Sequence, residues 1–146
     1  MTSGRPRAAE WGLAVESVLA KVRAGRPLVH HLTSPVAMSD TADITLALGA
    51  SPVMAAAPEE VREVAGGAGC LVLNLGVLTS DRLAAMRTAA GGATSRSVPV
   101  VLDPVGAGAT PFRTHAARTI VAEIRLAVVR GNAGEIASLV GVSGLV

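Results

Sequence analysis

The stretch V-P-V-V-L-D-P-V-G-A-G-A-T, from Val98 to Thr110, decides how the rest of the chain is read. Its apolar part is short and bounded by Pro99 and Asp103, the pattern of a strand buried on both faces. Asp103 ends the run, which sets its carboxylate at the strand's carboxyl edge. Pro104, Gly106 and Gly108 then keep the backbone out of a helix, and glycine lets that backbone approach a ligand closely. In open α/β sheets ligands bind in the crevice beyond the strand carboxyl ends. An acid at that edge followed by a glycine turn is therefore a candidate site.

Strand and helix patterns alternate on both sides of this stretch. Trp11, Val15, Val18, Leu19 and Val22 share one helical face, which ends before Gly25 and Pro27. Leu28 to His31 predicts a strand that runs into Thr33-Ser34-Pro35. Ser39 is placed to cap the next helix, with Asp40 in its first turn and Ile44, Leu46 and Leu48 within it. Pro52 to Met54 predicts a second strand. Pro58-Glu59-Glu60 opens a helix with Val61 and Val64 inward, broken by the glycines from Gly66. Cys70 to Leu73 predicts the third strand. Thr79 or Ser80 caps a helix that turns Leu83 and Met86 inward and fades at Gly91-Gly92. After the central strand, Thr110-Pro111 starts a helix through Ile120 and Ile124. Leu126 to Val129 predicts a fifth strand and Ile136 to Val140 a last helix. Such alternation calls for one α/β domain over residues 1–146, a parallel sheet with helices on both faces.

Composition narrows the function classes. The chain has 146 residues, half of them apolar (50%), and only Trp11 and Phe112 are aromatic, so the core is aliphatic. Net charge is +2 with no basic run and no aromatic stacking platform, which argues against nucleic-acid binding. A lone cysteine, Cys70, forms no internal disulfide and reads as a buried thiol of a reducing compartment. The N-terminus carries no apolar signal segment, and no run approaches the ~18 apolar residues of a membrane helix. These features predict a soluble, cytoplasmic protein.

Few residues are placed for chemistry. Asp103 either caps the following turn or offers a hard oxygen to Mg²⁺ beside phosphates that the Gly106 and Gly108 backbone approaches. Asn132 and Glu135, three apart at a helix start, form a capping-box pattern, yet they follow a strand and so share the edge of Asp103. Arg130 stands immediately before them, a permanent cation suited to phosphate. Met54 is a core residue by default, and its strand-end position also permits contact with a substrate. His30 reads as a packed histidine. No dinucleotide fingerprint, Walker-type phosphate loop or zinc spacing is present in the sequence.

Five stretches in order resemble the hydroxyethylthiazole kinase family, thiamine-salvage enzymes of ribokinase-like fold. They are L-V-H-H-L-T-S-P-V from Leu28, L-G-A-S-P-V-M-A from Leu48, L-V-L-N-L-G from Leu71, V-V-L-D-P-V-G-A-G-A-T-P-F-R from Val100 and V-R-G-N-A-G-E-I from Val129. The resemblance implies a three-layer α/β/α parallel sheet, represented here by about five strands of the N-terminal half. It implies ATP-dependent phosphorylation of the hydroxyl of 4-methyl-5-(2-hydroxyethyl)thiazole, and a homotrimer. Met54 is then the thiazole contact, Arg130 and Asn132 the ATP side, and Asp103 and Glu135 the acids that organise Mg²⁺. The family's anion hole and alcohol-deprotonating residue are expected downstream of Val146. Where the family reads Thr-Asn this chain has Thr33-Ser34, and Asp43 replaces a common Asn. The alternative is a non-catalytic thiazole- or nucleotide-binding remnant or assembly partner.

Overall fold

The computed structural model describes residues 8–141. Helix α1 (Ala8–Gly25) leads into strand β1 (Leu28–Leu32), and a strict alternation follows. It continues through α2 (Met38–Ala47), β2 (Ser51–Val53), α3 (Val61–Gly67), β3 (Cys70–Asn74) and α4 (Ser80–Ser95). Strand β4 (Val100–Asp103), α5 (Pro111–Glu123), β5 (Val128–Val129) and α6 (Ala133–Leu139) complete it. The five strands are all parallel, in the order β2-β1-β3-β4-β5. Their carboxyl ends therefore leave the sheet along one edge. The strand order reverses between β1 and β3, which is where such sheets open a ligand crevice.

The pleat assigns the two faces. Leu32, Leu71, Leu73, Val100 and Leu102 form one buried cluster with Val61 and Ala65 of α3, Met86, Ala89, Ala90 and Ala93 of α4, and Ala117 and Ile120 of α5. Val72 and Val101 point the other way and are half-buried. On that second face α2 packs near β1, its Thr45 hydroxyl meeting the His31 ring. Thr79 and Thr110 cap α4 and α5, accepting from Arg82 N–H and Arg113 N–H, with Pro111 in the first turn of α5. No helix of the described residues is long and apolar enough to cross a membrane.

Four expectations are corrected. Ser39 caps nothing: Ser34 instead accepts from Val36 N–H and starts a 3-10 turn, Pro35–Ala37, which runs directly into α2. Pro58 to Glu60 form a turn before α3 rather than its first residues. The predicted fifth strand shrinks to Val128–Val129, both exposed. Helix α4 does not fade at Gly91-Gly92 but runs to Ser95. A Cβ on Gly92 would run into the Arg62 carbonyl oxygen, so the glycine serves the close approach of α3 and α4. Arg96 and Ser97 end the helix, Ser97 taking a positive φ of 57°. The apolar face of α1 is also open, with Trp11 58%, Val15 62% and Val18 60% exposed, and Ile44 and Leu46 of α2, with Leu48 just after it, are exposed too.

The packing at Gly92 yields a test. Gly92→Ala must push α3 and α4 apart and should lower stability by about 1–3 kcal/mol, the usual cost of overpacking. Gly67→Ala meets nothing within 4 Å and should leave stability within about 0.5 kcal/mol, as surface changes do. Urea unfolding followed by circular dichroism measures both. Equal midpoints for the two variants would refute the close-approach reading.

Candidate active site

The register between β3 and β4 pairs Asn74 with Asp103 at the carboxyl edge. Asn74 Nδ2 donates to Asp103 Oδ2 at 2.9 Å, while Asn74 Oδ1 accepts from Gly76 N–H at 2.9 Å. Arg130 follows β5, beside β4, and its backbone N–H donates to the Leu102 carbonyl at 2.9 Å. Its Nη1 reaches the same Asp103 Oδ2 at 2.6 Å. The Asp103 side chain is 14% exposed and that of Arg130 76%. Burial pushes the Asp103 carboxyl above its ordinary value; Arg130 and the Asn74 bond pull it back, and the charge of Glu135 pushes it up again. The side chain does not cap its own turn, so the first of the two sequence readings falls away.

The glycine turn and Glu135 meet at this edge. Gly106 has φ +77°, and its N–H donates to Glu135 Oε1 at 3.0 Å. Arg113 lies under the turn and donates to the Leu75 and Val105 carbonyls, tying the turn to the loop after β3. Glu135 Oε2 accepts from Asn132 N–H, and Asn132 Oδ1 accepts from Glu135 N–H, each at 2.9 Å. The capping box is thus real, and it is also what aims Glu135. Each of its oxygens takes one backbone N–H and keeps a further lone pair. The Asn132 side-chain oxygen is occupied by the cap.

Among the described residues no group of three or more His, Cys, Asp or Glu converges on one point. Two carboxylates with open lone pairs suit Mg²⁺, which keeps waters and phosphate oxygens in its shell. They do not suit a closed zinc site.

Met54 lies elsewhere on the same edge. It lines a largely apolar cavity of about 460 Å³ at the carboxyl ends of β1 and β2, with His31, Thr33, Met38, Arg82 and Met86. His30 is fully buried, and its Nε2 donates to the Ala55 carbonyl at 2.7 Å, holding the segment that carries Met54. Its Nδ1 has no partner, so the expected packed histidine is only half satisfied. The Thr45 hydroxyl donates to the Thr41 carbonyl, so His31 Nε2 must donate to Thr45 Oγ1, at 3.2 Å. Thr33 and Ser34 are buried, and Arg82 donates to the Thr33 carbonyl. A Cβ on Gly76 would lie 3.0 Å from Ser34 Cβ, so cavity and carboxylate cluster adjoin through Ser34, Gly76 and Asn74. Asp43 is exposed and lines no part of this cavity. Cys70 is half-buried on the second face, and burial raises its thiol.

Asn74, His31 and Arg82 were not singled out from the sequence. Asn74 carries the same signal as Asp103, a polar residue closing an apolar run. His31 and Arg82 come together only through the fold.

The two histidines set a pH dependence. Burial lowers both imidazoles below their ordinary 6.5; the Ala55 bond and Glu60 oppose this at His30, and His30 adds to it at His31. The unfolded chain therefore binds more protons in the window below 6.5. Stability is complete above that value and should fall as pH is lowered through it. His30→Gln, which keeps a donor for Ala55, should flatten the slope. Denaturation midpoints between pH 7.5 and 5.5 (about one unit on either side of that range's centre) provide the check, and a flat wild-type profile would refute it.

A parallel sheet of this order, with acid, guanidinium and glycine turn gathered beyond its carboxyl ends, defines a doubly wound α/β protein with its ligand edge at the switch point. The family model described as the hydroxyethylthiazole kinase family matches residues 19–146. Hydroxyethylthiazole kinases from Methanosphaerula palustris and Moorella thermoacetica are each 52% identical to the chain over 134 residues, 92% of its length. Those matches cover 51% and 50% of the two relatives. The solved structure of the hydroxyethylthiazole kinase protein from Pyrococcus horikoshii superposes with a TM-score of 0.85 at 46% identity, over 88% of this chain and 50% of that one. The chain belongs to the hydroxyethylthiazole kinase family. It spans about half the length of the curated relatives it matches.

Proposed function

We propose that the protein phosphorylates the hydroxyl of 4-methyl-5-(2-hydroxyethyl)thiazole with ATP, in the cytoplasm and as a homotrimer. The observation that carries this reading is that the Met54 cavity and the Asp103, Asn74 and Arg130 cluster lie along the same sheet edge. Phosphoryl transfer needs little from a protein beyond positioning and neutralised charge. In this reading the cavity supplies position. Met54, Met38 and Met86 offer soft, polarisable sulfur to a flat ring, a contact worth about 0.3–1.5 kcal/mol. Asp103 and Glu135 would hold Mg²⁺, which, when bound, neutralises phosphate charge. Arg130 and Asn132 would serve the ATP side. The names of the relatives support catalysis over a non-catalytic binding remnant.

The test joins this chain to the complementary half of the Pyrococcus horikoshii relative and follows ADP release. Release should depend on the thiazole alcohol. Asp103→Asn should lower kcat by about 10²–10³, the usual loss for one preorganised electrostatic group. Unchanged turnover at saturating Mg²⁺ and ATP would reject Asp103 as an organiser of the metal. Met54→Ala should raise the KM for the thiazole several-fold and leave that for ATP nearly unchanged. Equal rises in both would mark general damage to the core.

A further inference from the structure

Two carboxylates lie at the sheet edge, and they are held differently. Asp103 is paired with Arg130, whereas Glu135 has no ion-pair partner among the described residues. The Glu135 oxygens rest on backbone N–H groups of Gly106 and Asn132. Departure of Arg130 would thus leave both carboxylates without an ion-pair partner among the described residues.

Arg130 is built to leave. Its backbone is fixed by the bond to Leu102, but its side chain is 76% exposed and bonds only to Asp103 among the described residues. On its side the guanidinium is open to water, which weakens its hold on the carboxylate. Asp103, in contrast, stays put without it. Asn74 holds the same Oδ2, and Gly76 fixes Asn74 from the other side.

We propose that Arg130 acts as a stand-in cation on Asp103, displaced when a divalent metal arrives and thereby freed to grip the phosphates that accompany it. The inference rests on the metal and phosphate roles assigned above and adds their coupling through one side chain. A guanidinium carries a planar fork of donors that fits phosphate oxygens as well as carboxylate ones. A metal that takes Asp103 Oδ2 competes with Arg130 Nη1 for that oxygen, and a phosphate that draws Arg130 over removes the competitor. Each ligand therefore lowers the cost of binding the other, as linkage requires.

Two titrations of the purified protein, neither of which involves turnover, test this. The first is Mn²⁺ alone, read by electron paramagnetic resonance. The second is inorganic triphosphate in a metal chelator, read by calorimetry. Arg130→Gln should bind Mn²⁺ about fivefold more tightly, the scale of an exposed ion pair. The same variant should bind triphosphate about tenfold more weakly, as befits a lost charge-assisted contact. Arg125→Gln makes the same charge change at the opposite end of the sheet, where Arg125 lines a cleft with Val98 and Pro99. It should move neither titration by more than about twofold, because a distant exposed charge is screened. Unchanged or weakened Mn²⁺ binding in Arg130→Gln, or equal tightening in Arg125→Gln, would overturn the stand-in role and leave the metal reading intact. Wild-type Mn²⁺ binding that Asp103→Asn does not alter would overturn both.

Discussion

One carboxylate oxygen carries the site. Asp103 Oδ2 receives a hydrogen from Asn74 and another from Arg130, one at the end of β3 and the other just past β5, the strands on either side of β4. The arrangement exists because parallel register sets Asn74 beside Asp103 and ends β5 one step before Arg130. A one-residue slip in either pairing would turn the polar side chain to the opposite face. The buried leucines of β3 and β4 prevent it, since the same slip would expose Leu71, Leu73 and Leu102. Apolar packing on one face thus fixes the chemistry at the edge.

The edge divides its labour along its length. At the β1 and β2 end the cavity is apolar, and two buried histidines anchor it, one to the Met54 segment and one to α2. At the β4 and β5 end the groups are charged and more open. Between them the chain takes a costly conformation: Val77, β-branched, sits at φ +51° beside Gly76. A left-handed residue without glycine costs about 1–2 kcal/mol. Strain of that kind gathers where a backbone must hold a shape for function rather than for stability. Here it lies in the loop that joins the two halves of the edge.

The sequence was legible wherever a residue type has one physical use. Asp103 closing an apolar run, Thr110-Pro111 opening a helix and the alternation of periods all lead to the observed sheet. Glycine was not legible in the same way. Gly91-Gly92 read as a stop, although Gly92 is demanded by the backbone of α3, a distant segment that local pattern does not contain. Ser39 misled for a related reason: any hydroxyl near a helix start looks like a cap, and Ser34 reached Val36 first. Asn132 and Glu135 were readable as a capping box, but not the bond from Gly106 that turns the box toward Asp103. Met54 was placed by its strand end, whereas His31 and Arg82 became its neighbours only when β1 and α4 packed.

The scarcity of aromatic side chains has an optical consequence. The chain has no tyrosine and one tryptophan, Trp11, on the exposed face of α1. Its indole is remote from the leucine and alanine core, so loss of that core changes its surroundings little. Intrinsic fluorescence is therefore a nearly silent witness of unfolding and a selective one of α1. A blue shift in its emission would report that something apolar has come to rest on that helix.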